Sequence, residues 1–291
     1  MEGAAGAGQR TDDRFFCPFR EKDVFLQSEK NNDVMKEIHD FSIVERRQLG
    51  GHYFALVLRH GGTMQPVVPG QFVEVLVEDE PGVMLRRPIS VHDVDDEAGT
   101  LSLLVQIVGR GTRRLSRLQP GDCLNLVYPL GHGFTTDLAP ASKVLLVGGG
   151  AGIAPLLHLS KVLKAKQVDC TILLGGRTAE LIPVRDEFLP YGTLCLTTDD
   201  GSLGLHGMVV DHPAFAGSYD MVYTCGPTPM MKAVARSAAE HGLRCEVSLE
   251  NMMACGLGAC LCCVVDTDGG HRCVCKEGPV FDIKDMKKWY L

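Results

Sequence analysis

Residues 143–159 read KVLLVGGGAGIAPLLHL, and this stretch decides the fold. A short apolar strand, KVLLVGG, leads into a glycine-rich turn, and a helix follows whose apolar residues recur at helical spacing through residue 163. A strand, a glycine turn and a helix in that order are typical of one half of a parallel, dinucleotide-binding sheet. Because the first N–H groups of a helix are free, the turn is a candidate phosphate site. Its glycines are Gly148, Gly149, Gly150 and Gly152.

The glycine turn departs from the common dehydrogenase fingerprint in two places. Pro155 stands where G-x-G-x-x-G, counted from Gly150, would place its third glycine. The next apolar strand ends in Gly175-Gly176-Arg177 and has no acidic residue to bind a ribose hydroxyl. We therefore expect a dinucleotide docked for brief contact, with a purely structural turn as the alternative. No basic cluster follows this strand except Arg177, so NAD is expected; NADP is the alternative, because a lone Arg can bind a 2′-phosphate.

The chain divides into four parts. Residues 1–34 lack periodicity and are expected to be a disordered or non-native extension. Residues 35–138 contain short strands separated by turn signals, which predicts a small antiparallel β-barrel. Residues 139–244 alternate strands with helices, which predicts a doubly wound parallel sheet, and residues 245–291 are a cysteine-rich unit. Strands are predicted at 41–47, 53–59, 71–78, 101–108, 123–130, 143–149, 170–176, 193–198 and 219–225, and helices at 155–166 and 228–242.

Composition excludes several classes of function. The 291 residues, 45% apolar and 22% charged, suffice for about two domains with sizeable cores. The net charge of −7 disfavours a non-specific nucleic-acid binder, which needs clustered Lys and Arg. No apolar run reaches the roughly 18 residues that span a bilayer, and the N-terminus lacks the apolar core of a signal peptide. We expect no nucleic-acid or membrane partner and a cytoplasmic location.

Half of the twelve cysteines lie within residues 255–275, which in a reducing compartment indicates a metal or redox centre. Three of them form C-x4-C-x2-C, the plant-type [2Fe–2S] spacing, and two later cysteines are candidates for the fourth ligand. Two glycines in the first loop would let the backbone approach a cluster closely. The alternative is an all-cysteine zinc site, which leaves the first cysteine and the glycines unexplained. The candidates are Cys255, Cys260 and Cys263, then Cys273 or Cys275.

A nicotinamide site and an iron–sulfur site in one chain require a third group. Nicotinamides exchange two electrons as a hydride, whereas the cluster accepts one at a time, and a flavin converts between the two. The barrel is therefore expected to hold the flavin. Two stretches suit it, Arg87-Pro88-Ile89-Ser90 and the turn containing Gly111-Thr112, which offer charge, hydroxyl and backbone donors. Taken alone, Arg87 could be a surface ion pair and Gly111 an ordinary turn.

With these motifs in order, residues 38–285 resemble the ferredoxin–NADP reductase superfamily. Within it they are similar to the family of electron-transfer subunits of NAD-dependent dihydroorotate dehydrogenase. The most specific blocks are Met253-Ala254-Cys255-Gly256 and Val274-Cys275-Lys276-Glu277-Gly278-Pro279. The resemblance implies Cys275 as fourth cluster ligand, and a nicotinamide between the Gly148–Gly152 turn and Cys225-Gly226-Pro227. It implies FAD at Arg87, Pro88, Ile89, Ser90, Leu104, Val105, Gln106, Gly111 and Thr112.

The resemblance also implies a function and a partner. Electrons would pass from the FMN of a separate catalytic subunit through [2Fe–2S] and FAD to NAD⁺, in pyrimidine (UMP) biosynthesis, within a heterotetramer of two copies of each subunit. The catalytic barrel alone takes about 250 residues, so the dihydroorotate site is expected to lie on that partner. Cys225 would lie near the reacting rings, as a tuning group or as a buried structural thiol. The alternatives are the small FAD/[2Fe–2S] subunit of an NADH-dependent ferredoxin–NADP oxidoreductase and a non-enzymatic, zinc-stabilised binding module.

Overall fold

A six-stranded antiparallel barrel forms the first folded part of the protein. The structure, a computed structural model, describes residues 24–26, 35–50 and 52–291. Strand order is β2-β3-β6-β5-β4-β7, and pairing of β7 with β2 closes the barrel. Its interior is filled by apolar side chains such as Phe41, Phe54 and Leu103, none of which is exposed. The strands are β2 Lys36–Leu49, β3 Tyr53–His60, β4 Phe72–Val75, β5 Arg87–Asp95, β6 Thr100–Gln106 and β7 Cys123–Leu130, with α1 Arg110–Leu115 between the last two.

A parallel sheet with helices on its faces forms the second part. Its order is β11-β10-β9-β8-β12-β13-β16, in which only β16 runs antiparallel. The central strand β8 is buried at every residue after the first, which explains its uninterrupted apolar run. The elements are β8 Lys143–Gly149, α2 Ala154–Ala165, β9 Asp169–Gly176, β10 Thr193–Thr198, β11 Leu205–His206, β12 Met221–Cys225, α3 Thr228–Glu240, β13 Cys245–Ser248 and β16 Val280–Asp282.

The cysteine-rich unit is inserted between two strands of the parallel sheet. Strands β13 and β16 pair with each other, and β13 also pairs with β12. The sheet thus continues past residue 244 into the last 47 residues, and the boundary predicted there stays a prediction. Between the two strands lie the cysteine loop and a hairpin. Its elements are β14 Val264–Thr267, β15 Gly270–Cys273 and α4 Val274–Glu277, and α5 Lys287–Tyr290 follows β16.

The predicted fold class is confirmed, and each predicted strand and helix overlaps an observed one. The predicted strands and helices do not include β5 and α1 of the barrel, β11, β13 and β16 of the parallel sheet, or the elements β14, β15, α4 and α5 near the C-terminus. The predicted extension at residues 1–34 lies outside the described residues except for Val24–Leu26, which form β1 and pair antiparallel with β2. Among the described residues, none of the helices is long and apolar enough to cross a membrane.

Candidate functional site

The crevice of the parallel sheet opens where β8 and β12 lie side by side. From β8 the chain continues to β9 on one side, and from β12 it continues to β13 on the other, so the turns after the two strands diverge. These turns nevertheless touch at their bases. A Cβ on Gly152 would lie 2.3 Å from the backbone nitrogen of Gly226, a distance that no side chain tolerates. Glycine at residue 152 is therefore what lets the two turns meet.

A cavity of about 540 Å³ fills this crevice. It is lined by five of the predicted nicotinamide-site residues: Gly149, Gly150, Gly152, Gly226 and Pro227. Gly148, also predicted, does not line it. A Cβ there would lie 2.8 Å from a methyl carbon of Leu156, so Gly148 lets α2 pack closely on β8. Arg177 and Asp199 line the far side of the cavity, at the ends of β9 and β10.

A second cavity of about 290 Å³ lies against the barrel. The opposite wall comes from the cysteine-rich unit, including Asn251 and Met253. Because Met253 is two residues before Cys255, this cavity borders the cysteine loop. The predicted flavin residues that line it are Pro88, Ile89 and Ser90 of β5, Leu104, Val105 and Gln106 of β6, and Thr112 of α1.

Two predicted flavin residues, Arg87 and Gly111, lie outside the lining and contact each other. A Cβ on Gly111 would lie 2.7 Å from Nε of Arg87, so the guanidinium rests on the glycine. The Thr112 hydroxyl oxygen accepts the backbone N–H groups of Val108 at 3.0 Å and Gly109 at 3.2 Å, which fixes the turn. The structure thus brings the two predicted flavin motifs together beyond the rim of the cavity.

The two cavities adjoin, and three residues line both: Gln106, Ala151 and Glu250. The Glu250 side chain is open to the cavities but surrounded by protein, and this burial raises its pKa. Glu250 was not predicted as a site residue. The sequence does contain a signal for Glu250. Ser248 ends a strand of the parallel sheet, so Leu249 and Glu250 lie at its carboxyl edge, where ligands of such sheets bind.

Tyr53 is a second residue that the sequence did not reveal. It begins β3 of the barrel, is fully buried, and lines the larger cavity. Its hydroxyl lies 3.6 Å from where a Cβ of Gly150 would be, and it has no hydrogen-bond partner among the described residues. Burial, together with the nearby charge of Glu250, raises its pKa to about 12. A tyrosine at the start of an apolar strand carries no sequence signal for this role.

Cys225 ends β12 beneath the crevice. It is 1% exposed, lines neither cavity, and lies in register between Gly148 of β8 and Ser248 of β13. Burial and the charge of Glu250 raise the pKa of its thiol far above the usual range. The side chain is therefore a protonated thiol at neutral pH and has no nucleophilic character. Its predicted tuning role stays a prediction.

The predicted cluster ligands lie near one another. Cys260 lies beside Cys255, and both Cys273 and Cys275 lie beside Cys263. Within the described ranges, no three metal-binding side chains are close enough together to hold one metal ion. A [2Fe–2S] cluster takes four thiolates, and Cys255, Cys260 and Cys263 with one of the two later cysteines offer that donor set.

Backbone N–H groups point at these sulfurs. The sulfur of Cys255 accepts from Leu257 at 3.4 Å, and that of Cys275 accepts from Gly258 at 3.1 Å. Burial raises the pKa of Cys255, but the N–H donors around it outweigh burial and lower this pKa to about 6. Burial and the neighbouring Cys263 raise the pKa of Cys275, so this thiol needs the charge of a metal to ionise.

The surroundings of Cys273 and Cys275 distinguish them. Both lie beside Cys263. The sulfur of Cys275 faces an N–H of Gly258, which stabilises a thiolate, whereas that of Cys273 faces the Gly258 carbonyl oxygen at 3.9 Å, which suits a protonated thiol. This difference favours Cys275 as the fourth ligand. Cys262 is exposed, as expected of a residue between ligands that points away.

A buried carboxyl group of the barrel, that of Glu74, contacts the cysteine loop. Glu74 of β4 is 1% exposed, and neither of its carboxyl oxygens has a hydrogen-bond partner among the described residues. A Cβ on Gly256 would lie 2.8 Å from Cγ of Glu74, so the positive-φ glycine lets the loop pass. Burial raises the pKa of Glu74 to about 7, against the opposing charge of Arg86.

Comparison with known proteins assigns the family. Residues 250–287 match the iron–sulfur cluster binding domain of dihydroorotate dehydrogenase B. The electron transfer subunit of dihydroorotate dehydrogenase B (NAD⁺) from Geobacillus thermodenitrificans is 38% identical over 82% of this chain and 95% of its own length. That of Bacillus cereus is 35% identical over 87% and 99%.

Solved structures agree on the architecture. That of an NADH-dependent reduced ferredoxin–NADP oxidoreductase is 32% identical, with a TM-score of 0.76, and covers 84% of this chain and 88% of its own. A ferredoxin reductase of carbazole 1,9a-dioxygenase, 21% identical with a TM-score of 0.61 over 72% of this chain and 67% of its own, shares the fold. From its identity to relatives covered almost end to end, the chain belongs to the family of electron-transfer subunits of NAD⁺-dependent dihydroorotate dehydrogenase B.

Proposed function

We propose that this chain is the electron-transfer subunit of an NAD-dependent dihydroorotate dehydrogenase. It passes electrons between NAD(H) and a separate FMN-containing catalytic subunit, in pyrimidine biosynthesis in the cytoplasm, as a heterotetramer of two copies of each. The observation that carries the proposal is the contiguity of three sites. The crevice cavity and the barrel cavity share Gln106, Ala151 and Glu250, and the barrel cavity borders the cysteine loop through Met253.

The barrel cavity is assigned to FAD. The backbone and side chains of β5 and β6 line it, and Thr112 closes its end, so a flat ring can lie between the barrel and the cysteine-rich unit. Arg87, resting on Gly111 beyond the rim, supplies positive charge where the phosphates of the cofactor would lie. When bound, FAD supplies the exchange between two-electron and one-electron chemistry.

The crevice cavity is assigned to NAD(H). The turn at Gly149–Gly152 offers backbone N–H groups to the pyrophosphate, and the absent side chains allow close approach. The unpartnered hydroxyl of Tyr53 supplies a donor from the barrel side. Gln106 lines both cavities, so its side chain would contact the groups bound in each.

The cysteine loop is assigned to a [2Fe–2S] cluster held by Cys255, Cys260, Cys263 and Cys275. The neighbouring thiols and the backbone N–H donors to the sulfurs of Cys255 and Cys275 fit that group. Cys260 is exposed, and next to it Leu261 has 64% of its surface exposed, so the edge of the site faces outward, where a partner can dock. That edge supports transfer to a second protein, and a thiolate-held cluster supports a reducing location such as the cytoplasm.

The proposal is tested by isolating the chain with and without its partner. The chain alone, purified without oxygen, is expected to reduce artificial dyes with NADH but not to oxidise dihydroorotate. Native material is expected to co-purify with an FMN-containing subunit and to reduce NAD⁺ with dihydroorotate. Turnover of dihydroorotate by the isolated chain would contradict this division of labour.

The second candidate is the small subunit of an NADH-dependent ferredoxin–NADP oxidoreductase. It is favoured by one observation, the 32% identity to a solved structure of that enzyme. The partner distinguishes the two candidates. Capture of a larger iron–sulfur flavoprotein in place of an FMN-containing barrel would support the second.

A further inference from the structure

His92 lines neither cavity, but its hydrogen-bond partner Ala154 lines the barrel cavity. It belongs to β5, two residues after Ser90 of the barrel cavity, and only 1% of its surface is exposed. A buried imidazole needs hydrogen-bond partners for its nitrogens. The hydrogen-bond partners of His92 therefore indicate why a histidine occupies residue 92.

A β-bulge directs the His92 side chain out of the barrel. Pairing of β5 with β6 jumps from Val91 opposite Leu103 to Asp93 opposite Ser102, which leaves His92 as the extra residue. Bulges bend a strand and change the direction of a side chain. Here the imidazole points at the parallel-sheet domain rather than into the barrel core.

Both ring nitrogens bond to the parallel-sheet domain. Nδ1 lies 2.9 Å from the carbonyl oxygen of Ala154, the first residue of α2, and Nε2 lies 3.3 Å from a carboxyl oxygen of Glu187. Both partners are oxygen atoms that accept hydrogen bonds. Burial alone would raise the pKa of Glu187, but the hydrogen bonds from His92 and Arg47 lower it. Arg47 of β2 bonds the other carboxyl oxygen at 2.6 Å.

The bond from His92 to Ala154 joins β5 to α2. The spacing of these two elements matters for hydride transfer. Strand β5 carries Ser90, which lines the barrel cavity. The turn that leads to Ala154 carries Gly152, which lines the crevice cavity. Ala154 itself lines the barrel cavity and lies two residues after Gly152 of the crevice cavity, so the link from His92 reaches the walls of both sites. A misplacement of about 1 Å between reactants can cost about 100-fold in rate.

We propose that His92 is a positioning residue that sets the separation of the flavin and nicotinamide sites. It ties the bulge of β5 to the first residue of α2, and Glu187 and Arg47 hold its ring in place. The inference rests on the proposed function, because it takes the two cavities as the flavin and nicotinamide sites.

Lys161 provides a matched control. Its ammonium bonds the Asp93 carboxylate at 3.1 Å and the Val94 carbonyl oxygen at 2.7 Å, so it also joins β5 to α2. It lies two helical turns beyond Ala154 and lines neither cavity. Lys161→Ala therefore weakens the same domain contact at a distance from the reacting groups.

The test compares His92→Asn, His92→Gln and His92→Phe with Lys161→Ala in the flavin-loaded protein. An Asn amide places a donor near the position of Nδ1, a Gln amide near that of Nε2, and Phe keeps the ring without donors. The measurements are the rate of flavin reduction at saturating NADH, the Kd for ADP-ribose, the long-wavelength absorbance of the flavin–nicotinamide complex, and the melting temperature.

We expect His92→Gln and His92→Phe to slow flavin reduction by about tenfold or more and to weaken the long-wavelength absorbance. We expect His92→Asn to keep most of the rate of flavin reduction and most of the long-wavelength absorbance. We expect Lys161→Ala to lower the melting temperature with little change in that rate. The Kd for ADP-ribose is expected to stay within about twofold throughout. Rates that follow the melting temperature across all four variants, or an Asn variant as slow as the Gln variant, would overturn the inference. Failure of the unsubstituted protein to accept hydride from NADH would instead count against the proposed function.

Discussion

Tyr53→Phe is expected to change stability and binding in opposite directions. The Tyr53 hydroxyl is buried without a partner among the described residues, and such a group costs about 1–3 kcal/mol. Its removal should therefore stabilise the ligand-free protein. The same hydroxyl faces Gly150 in the crevice cavity, and under the proposed function it would donate a hydrogen bond to NAD(H) bound there. Loss of that bond, at about 1–2 kcal/mol, should weaken NAD(H) binding by about 5- to 30-fold.

Two measurements separate these effects. Thermal or denaturant unfolding of the ligand-free protein gives the change in stability, and titration with NAD⁺ or ADP-ribose gives the change in Kd. Pro229→Ala is a matched control, because it also alters the cavity wall but removes no donor. A Phe variant that is less stable without ligand would show that the hydroxyl has a partner. An unchanged Kd would show that it does not contact the dinucleotide.

The remaining predictions concern the turn, the cluster and one buried histidine. Gly152→Ala should abolish NADH-dependent flavin reduction while leaving the barrel cavity loaded with flavin, because its Cβ would lie 2.3 Å from the backbone of Gly226; unchanged reduction would refute the contact. Cys275→Ser should abolish the cluster signal in EPR, whereas Cys273→Ser should preserve it; equal loss in both variants would count against the assignment of the ligand. Burial lowers the pKa of His158 to about 4, so as pH falls below about 6.5 the unfolded chain binds a proton that the folded chain does not. The free energy of unfolding should therefore fall by about 2 kcal/mol between pH 7 and pH 5. In His158→Leu this part of the loss should vanish. If the free energy of unfolding of the unsubstituted protein and of the variant changes in parallel with pH, the assignment to His158 is refuted.

The sequence predicted those features that depend on local pattern. Alternation predicted the barrel strands, the glycine turn identified β8 and α2, and the cysteine spacing selected the loop in which the structure brings the thiols close together. The predicted flavin motifs also came together, although Arg87 and Gly111 lie beyond the cavity itself.

The rest depended on contacts between distant parts of the chain. Tyr53 lies 97 residues before Gly150, and no local pattern reveals that its hydroxyl reaches the crevice. The same holds for His92, whose role depends on a one-residue bulge against β6. The glycine run predicts binding by Gly148, and this stays a prediction; in the structure its missing side chain makes room for Leu156. Sequence spacing cannot separate a glycine needed for a ligand from one needed for a neighbouring side chain.

The claim on which the account depends is that one chain holds a flavin beside an iron–sulfur cluster. Absorption and EPR spectra of protein purified without oxygen test it directly, with the flavin released and identified. We expect yellow-brown protein that releases FAD, contains about two irons per chain, and gives a cluster signal in EPR on reduction. Colourless protein that contains zinc, or iron-containing protein that releases no flavin, would contradict the account.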